Sequence, residues 1–96
     1  MLGLFSNKKK IKEYLQQGAT IVDVRTKTEF EGGHLRNSVN IPLDSLPKHL
    51  GQLDKNKPII TCCASGMRSG LAKRMLKTNG FEVVNGGGWM KLQQHE

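Results

Sequence analysis

Between Pro58 and Thr78 the hydrophobic period of the chain changes once. Ile59-Ile60-Thr61 is a β-branched run that predicts a buried strand over residues 58–62, and Leu71, Ala72, Met75 and Leu76 recur at helical spacing. The loop between them carries Cys63, Ala64, Ser65 and Gly66, and Arg68 and Ser69 open the helix. A strand that feeds a helix cannot pair with the next strand as a hairpin, so the two must run parallel. The same unit sets a thiol at the carboxyl end of a strand and the N-terminus of a helix. Backbone N–H groups converge there and stabilise a thiolate or a bound anion.

The rest of the chain repeats the alternation. Asn7 is the expected cap of a helix reaching about Gln17, with Ile11, Tyr14 and Leu15 on one face and Gly18 as its stop. Residues 19–24 read as a buried strand. Thr26 or Thr28 opens a helical turn through Glu31, ended by Gly32-Gly33. Residues 34–38 form a loop, and residues 39–41 a short strand stopped by Pro42. A further helical turn starts at Asp44 or Ser45, with Leu46, Leu50 and Leu53 as its apolar positions and Pro47 in its first turn. Residues 81–84 are the last strand, Gly86-Gly87-Gly88 a flexible turn, and residues 89–92 a closing helix. This order predicts an α/β fold, with a parallel sheet, helices on both faces and ligands beyond the carboxyl ends of the strands.

Ninety-six residues make one domain, taken as 1–96, and the 36% hydrophobic and 24% charged fractions suit a globular chain rather than a disordered one. The apolar N-terminal residues are too few for a signal peptide, and Lys8, Lys9 and Lys10 follow them, the wrong order for export. No apolar run reaches the length of a membrane span, so a cytoplasmic protein is expected. Adjacent Cys62 and Cys63 form no disulfide framework and are read as free thiols. The net charge of +7 comes from lysines spread along the chain rather than interleaved with aromatics. It fits small anionic ligands better than nucleic acid or a membrane surface. Cys62, Cys63 and the distant His34 lack metal-ligand spacing, so neither metal nor cofactor is expected.

Three blocks carry a family resemblance. The first is Val22-Asp23-Val24-Arg25 with Glu29-Phe30, Gly33-His34 and Asn40-Ile41-Pro42. The second is Cys63-Ala64-Ser65-Gly66-Met67-Arg68-Ser69, and the third Gly87-Gly88-Trp89. In order and spacing they resemble the single-domain rhodaneses, which are thiosulfate or persulfide sulfurtransferases. The resemblance implies a central sheet of four or five mainly parallel strands with helices on both faces. Only Gly3-Leu4-Phe5 is placed to supply the fifth strand. Two local departures are Asn37-Ser38 in place of the usual Gly-Ala, and Leu92 in place of the usual aromatic. The resemblance also implies a persulfide intermediate on Cys63.

The residues around that thiol fit the chemistry. Cys63 is the expected nucleophile, and the backbone N–H groups of Ala64, Ser65, Gly66, Met67 and Arg68 are the expected cradle for the donor. Gly66 is expected in a backbone conformation costly for other residues. Arg68 either contacts the anion through its fork of donors or pairs with a surface carboxylate. Cys62 points to the opposite face, as a small core residue or a resolving thiol. Asp23, Arg25, Glu29 and His34 brace the first strand's end; the competing reading makes His34 a base oriented by Asp23. Trp89 anchors the core or walls the site.

Two rivals stand beside sulfur transfer. Cysteine phosphatases of the cell-cycle type use a Cys-x5-Arg loop, whereas Cys63 to Arg68 is Cys-x4-Arg, one residue shorter. A non-catalytic sulfur-carrier or binding module is the other. Ala64 stands where many thiosulfate-using relatives carry a basic side chain, so modest use of thiosulfate and better use of persulfide donors are expected. The expected acceptor is cyanide, a low-molecular-weight thiol or a thioredoxin-like protein, and the expected state is a monomer.

Overall fold

The computed structural model describes residues 2–96, with side chains from residue 7 onward. Helix α1 runs Leu2–Gln16, strand β1 Thr20–Asp23, helix α2 Lys27–Glu31 and strand β2 Ser38–Asn40. A 3-10 segment, Leu43–Gln52, leads to strand β3, Ile59–Cys63. Helix α3, Met67–Thr78, strand β4, Val83–Gly88, and helix α4, Trp89–Leu92, complete the order, with a last 3-10 turn at Gln93–His95. The sheet has four strands, all parallel, in the order β2-β1-β3-β4. Residues 3–5 belong to α1, so no fifth strand forms there.

Side chains of β3 alternate between two apolar layers, as the pleat dictates. Ile59 and Cys63 join Val22, Val24, Leu46, Ala72, Leu76 and Val83 beneath α3 and the 3-10 segment. Ile60 and Cys62 join Ile11, Tyr14, Leu35, Val84 and Leu92 beneath α1 and α4. Every residue of β3 is buried, which explains why its sequence is apolar without alternation. Burying a leucine or isoleucine such as Leu46, Leu76 or Ile59 contributes about 1.5–3 kcal/mol.

Local chemistry sets the element ends. Thr26 caps α2, its hydroxyl accepting from the Glu29 N–H at 3.2 Å, while the Glu29 carboxylate accepts from the Thr26 N–H at 3.0 Å. Gly18, at φ +78°, ends the turn after α1, and the Ala19 N–H donates back to the Tyr14 carbonyl.

Two expectations are corrected. Asn7 does not cap α1: the helix begins at Leu2, because no proline precedes Asn7 to stop it. The glycines 86–88 are not a flexible turn but the second half of β4. Thr61 pairs with Asn85 and Cys63 with Gly88, so β4 carries one extra residue there, a bulge. Gly87 supplies it at φ +76°. Gly86 is needed for space, since a Cβ would lie 2.8 Å from both Leu92 Cδ1 and the Thr61 carbonyl oxygen.

Candidate active site

The carboxyl ends of β1, β3 and β4 converge where the chain leaves β3 through Ala64, Ser65 and Gly66 and enters α3. Gly66 takes φ +109°, in the left-handed region, and turns the loop into the helix. It offers α3 no side-chain cap. The Cys63 sulfur fills that role. The Gly66 N–H donates to Sγ at 3.0 Å and the Ser69 N–H at 3.4 Å. A sulfur atom therefore sits where the first-turn N–H groups and the helix dipole favour negative charge.

Both cysteines are buried, yet their thiols are shifted in opposite directions. Burial pushes the Cys63 thiol up, but hydrogen bonding with the Ser69 side chain and hydrogen bonds from the Ser69, Gly66 and Ser65 backbone outweigh it, and the net shift is below the ordinary value of 9.0. Cys62 has no such donors. Burial, and then the nearby Asp23 carboxylate, push it up to about 12.

Arg68 does not bend over the sulfur. Its guanidinium forms a two-pronged pair with Glu29 on α2, Nη1 to Oε1 at 2.7 Å and Nη2 to Oε2 at 2.9 Å. That pair holds the Glu29 carboxyl at about 2, well below its ordinary 4.5. It also fixes the guanidinium beside the loop and ties α3 to α2. The Met67 side chain is 78% exposed at the start of α3.

The polar group at the end of β1 is a brace. Arg25 Nη2 donates to Asp23 Oδ2 at 2.7 Å, and both side chains are buried. The same guanidinium donates to the Glu29 and Gly33 carbonyls and lies 4.8 Å from the Trp89 ring, so it fastens α2 and the following loop to the sheet. Asn40 donates to the carbonyls of Asp23 and Arg25. His34 is engaged elsewhere: Nδ1 donates to the Phe30 carbonyl at 2.7 Å and the ring stacks on Phe30. Trp89 packs on the core layer beneath α1 and α4, over Arg25.

Ala64, Ser65 and Gly66 form one wall of an open cleft of about 760 Å³. Asn85 and the glycines 86–88 form its floor, and Lys8, Met90 and Lys91 its rim. Cys63 itself is 1% exposed, beneath the loop. Among the described residues no cluster of three or more His, Cys, Asp or Glu is placed to hold a metal ion. No helix among them is long and apolar enough to cross a membrane.

Two residues of the sulfur's surroundings are not marked by the sequence. Ser69 opens the helix as expected, and its N–H and hydroxyl also both lie against Sγ. Asn85, whose amide oxygen accepts from the Ser69 hydroxyl, falls between the expected last strand and the expected glycine turn. Its signal is a polar side chain between two valines and the glycines through which the strand continues.

A parallel sheet with a thiol capping a helix at its carboxyl edge defines a domain class. Residues 7–95 match the rhodanese-like domain family, and the chain belongs to that family. It is 40% identical over 68 residues to the uncharacterized protein YqhL of Bacillus subtilis, covering 70% of this chain and 54% of that one. It is 44% identical over 69 residues to the adenylyltransferase and sulfurtransferase uba4 of Ogataea parapolymorpha, covering 70% of this chain and 18% of that one. Among solved structures, it is 31% identical to a rhodanese with anions from E. coli, with a TM-score of 0.70, covering 75% of this chain and 88% of that one. The chain spans about half the length of the Bacillus relative and under a fifth of the Ogataea one.

Proposed function

We propose that this chain is a cytoplasmic sulfurtransferase that carries sulfane sulfur on Cys63. The observation that supports this reading most is the Cys63 sulfur standing in for the cap of α3, with the Gly66 N–H at 3.0 Å and the Ser69 N–H at 3.4 Å. A thiolate so held attacks the outer sulfur of thiosulfate, a new S–S bond forms, and sulfite leaves with the electron pair of the broken one. A persulfide donor reacts in the same way and releases its thiolate. The outer sulfur of Cys63–S–S⁻ is then attacked by cyanide or an acceptor thiolate, and the Cys63 thiolate is restored. No step needs a cofactor or an added base.

In this reading the backbone of Ala64, Ser65, Gly66, Met67 and Arg68 receives the donor, and the Glu29 pair holds the Arg68 guanidinium fixed beside that backbone. Ala64 adds no charge of its own, and Lys8 and Lys91 on the cleft rim compensate in part. Persulfide donors are accordingly used better than thiosulfate. The acceptor is a low-molecular-weight thiol or a thioredoxin-like protein. The sulfurtransferase in the name of the Ogataea relative and the anions in that of the E. coli structure agree with this chemistry.

Intact mass after donor treatment tests the proposal. The native chain and Cys62→Ser gain one sulfur that cyanide removes, and Cys63→Ser gains none. Loading without turnover to any acceptor makes the chain a sulfur carrier instead. Phosphatase turnover with no sulfur gained overturns both.

A further inference from the structure

Ser69 has one hydroxyl proton and two neighbours that want it. Its Oγ lies 3.3 Å from the Cys63 sulfur and 2.6 Å from Asn85 Oδ1. The orientation of the Asn85 amide is fixed by its other partners. The Gly87 N–H donates to Oδ1 at 2.8 Å, and Nδ2 donates to the Gly66 carbonyl at 3.1 Å. Oδ1 is therefore an acceptor, and the Ser69 proton points toward it. Sγ must then donate its own proton to Ser69 Oγ, which is the arrangement of a neutral thiol. When that proton leaves to solvent, Ser69 would present a lone pair to S⁻ unless its hydroxyl rotates from Asn85 to the sulfur.

We propose that Asn85 is a positioning residue that competes with Cys63 for the Ser69 hydroxyl proton and so restrains the thiolate until sulfur chemistry begins. The restraint reverses along the reaction of the preceding reading, on which this inference rests. In the thiolate, the hydroxyl turns to Sγ. In the persulfide, the negative charge moves to the outer sulfur, Sγ becomes neutral, and the proton returns to Asn85. The 2.6 Å contact thus stabilises the resting thiol and the loaded persulfide over the reactive thiolate between them.

Two features of the fold serve this arrangement. The bulge in β4 directly follows Asn85, and the amide of Gly87 within it binds Oδ1. Gly70, inside α3, leaves the room Asn85 occupies: a Cβ there would lie 3.3 Å from Asn85 Nδ2. A glycine inside a helix is unfavourable against alanine, and this contact accounts for it.

The test reads the thiolate without any sulfur donor. The rate of iodoacetamide labelling at Cys63, located by peptide fragmentation, is followed against pH for the native chain, Asn85→Ala, Ser69→Ala and the double variant. The charged and titratable groups around the pair, Arg68 on α3, Glu29 on α2, Asp23 on β1 and Cys62 on β3, stay in place throughout. Asn85→Ala frees the Ser69 proton, and the labelling midpoint falls by about one pH unit, the scale of one hydrogen bond to a charged acceptor. Ser69→Ala raises the midpoint, and adding Asn85→Ala to it changes nothing further. Asn85→Leu, which keeps the number and branching of the side-chain heavy atoms and removes both polar atoms, gives the same fall if the alanine variant is poorly folded.

A brace that merely shapes the loop predicts the opposite sign, because a loosened cradle loses its N–H donors and the midpoint rises. A rise, no change, or a fall that persists without Ser69 overturns the proposal. Failure of the sulfurtransferase reading is seen separately, as no sulfur gained by a chain whose Cys63 still labels with the expected midpoints.

Discussion

Cys62 and Cys63 are neighbours on one strand, 0% and 1% exposed, and chemically opposed. Cys62 faces the layer beneath α1 and α4, where apolar side chains and the Asp23 charge keep it a thiol. Cys63 faces the layer beneath α3, where first-turn N–H groups and the Ser69 hydroxyl bind its sulfur. Burial raises both thiols, and only Cys63 has hydrogen-bond donors that outweigh it. The difference lies in which side of β3 receives a helix by its N-terminus. The pleat alone, by sending alternate side chains to opposite faces, separates a thiol held by N–H groups from a piece of core.

The largest expected effect is on reactivity. At neutral pH iodoacetamide labels Cys63 in the folded chain, and Cys62 labels only after unfolding. Rapid labelling of Cys62 in the native state would end the comparison. Stability should carry the same contrast with opposite slopes. A depressed thiol favours folding as it ionises first in the folded state, so Cys63 makes the chain more stable as pH rises from its lowered value to the ordinary 9.0. Cys62 does the reverse. Its unfolded form ionises first, so its contribution is present below 9.0 and is lost as pH climbs toward 12. Each slope approaches about 1.4 kcal/mol per pH unit per proton. Urea unfolding from pH 6 upward checks both, with Cys63→Ala removing the rise and Cys62→Ala the fall.

A smaller effect separates packing from chemistry. Gly86 lies against the Cys62 layer, with Ile60 Cγ2 2.9 Å and Leu92 Cδ1 2.8 Å from where a Cβ would stand. Gly86→Ala overpacks this layer and lowers stability by about 2 kcal/mol in urea unfolding. The Cys63 labelling midpoint stays where it was, because the donors to Sγ come from the other layer. A shifted midpoint would mean that the two layers are coupled through β4.

Much of this architecture is legible in the sequence, and the parts that are not share a cause. The β-branched run to Thr61, the Thr26 and Glu29 capping box and the glycine loop are local signals, and they mark β3, α2 and the turn into α3. The cysteine and its loop are equally local. What escapes is made by residues that meet only after folding. Arg68 and Glu29 stand 39 positions apart, and no spacing rule joins them. Ser69 and Asn85 come together because α3 carries the chain back to a parallel neighbour. The glycines 86–88 mislead for a different reason. A glycine run signals flexibility only where nothing crowds it, and a Cβ at Gly86 or at Gly88 would stand 2.9 Å or less from neighbouring atoms.

The smallest expected effect concerns Arg68, which the sequence left between an anion contact and a surface pair. Glu29→Gln keeps the reach of the capping box, since glutamine serves there as well as glutamate, and removes the charge that holds the guanidinium. The Glu29 carboxyl is lowered to about 2 in the fold, so its contribution is present above the ordinary 4.5 and is lost as pH falls toward 2. Both partners are about one-third exposed, and water and salt screen them, so the loss at neutral pH is only about 0.5–1 kcal/mol. Native chain and variant should converge in urea unfolding as the pH approaches 2. The Cys63 labelling midpoint should hardly move if Arg68 acts as a fixed background charge. A clear fall in the midpoint would show that the released guanidinium swings onto the sulfur. Glu29 would then be what keeps the resting thiol from meeting its strongest neighbouring charge.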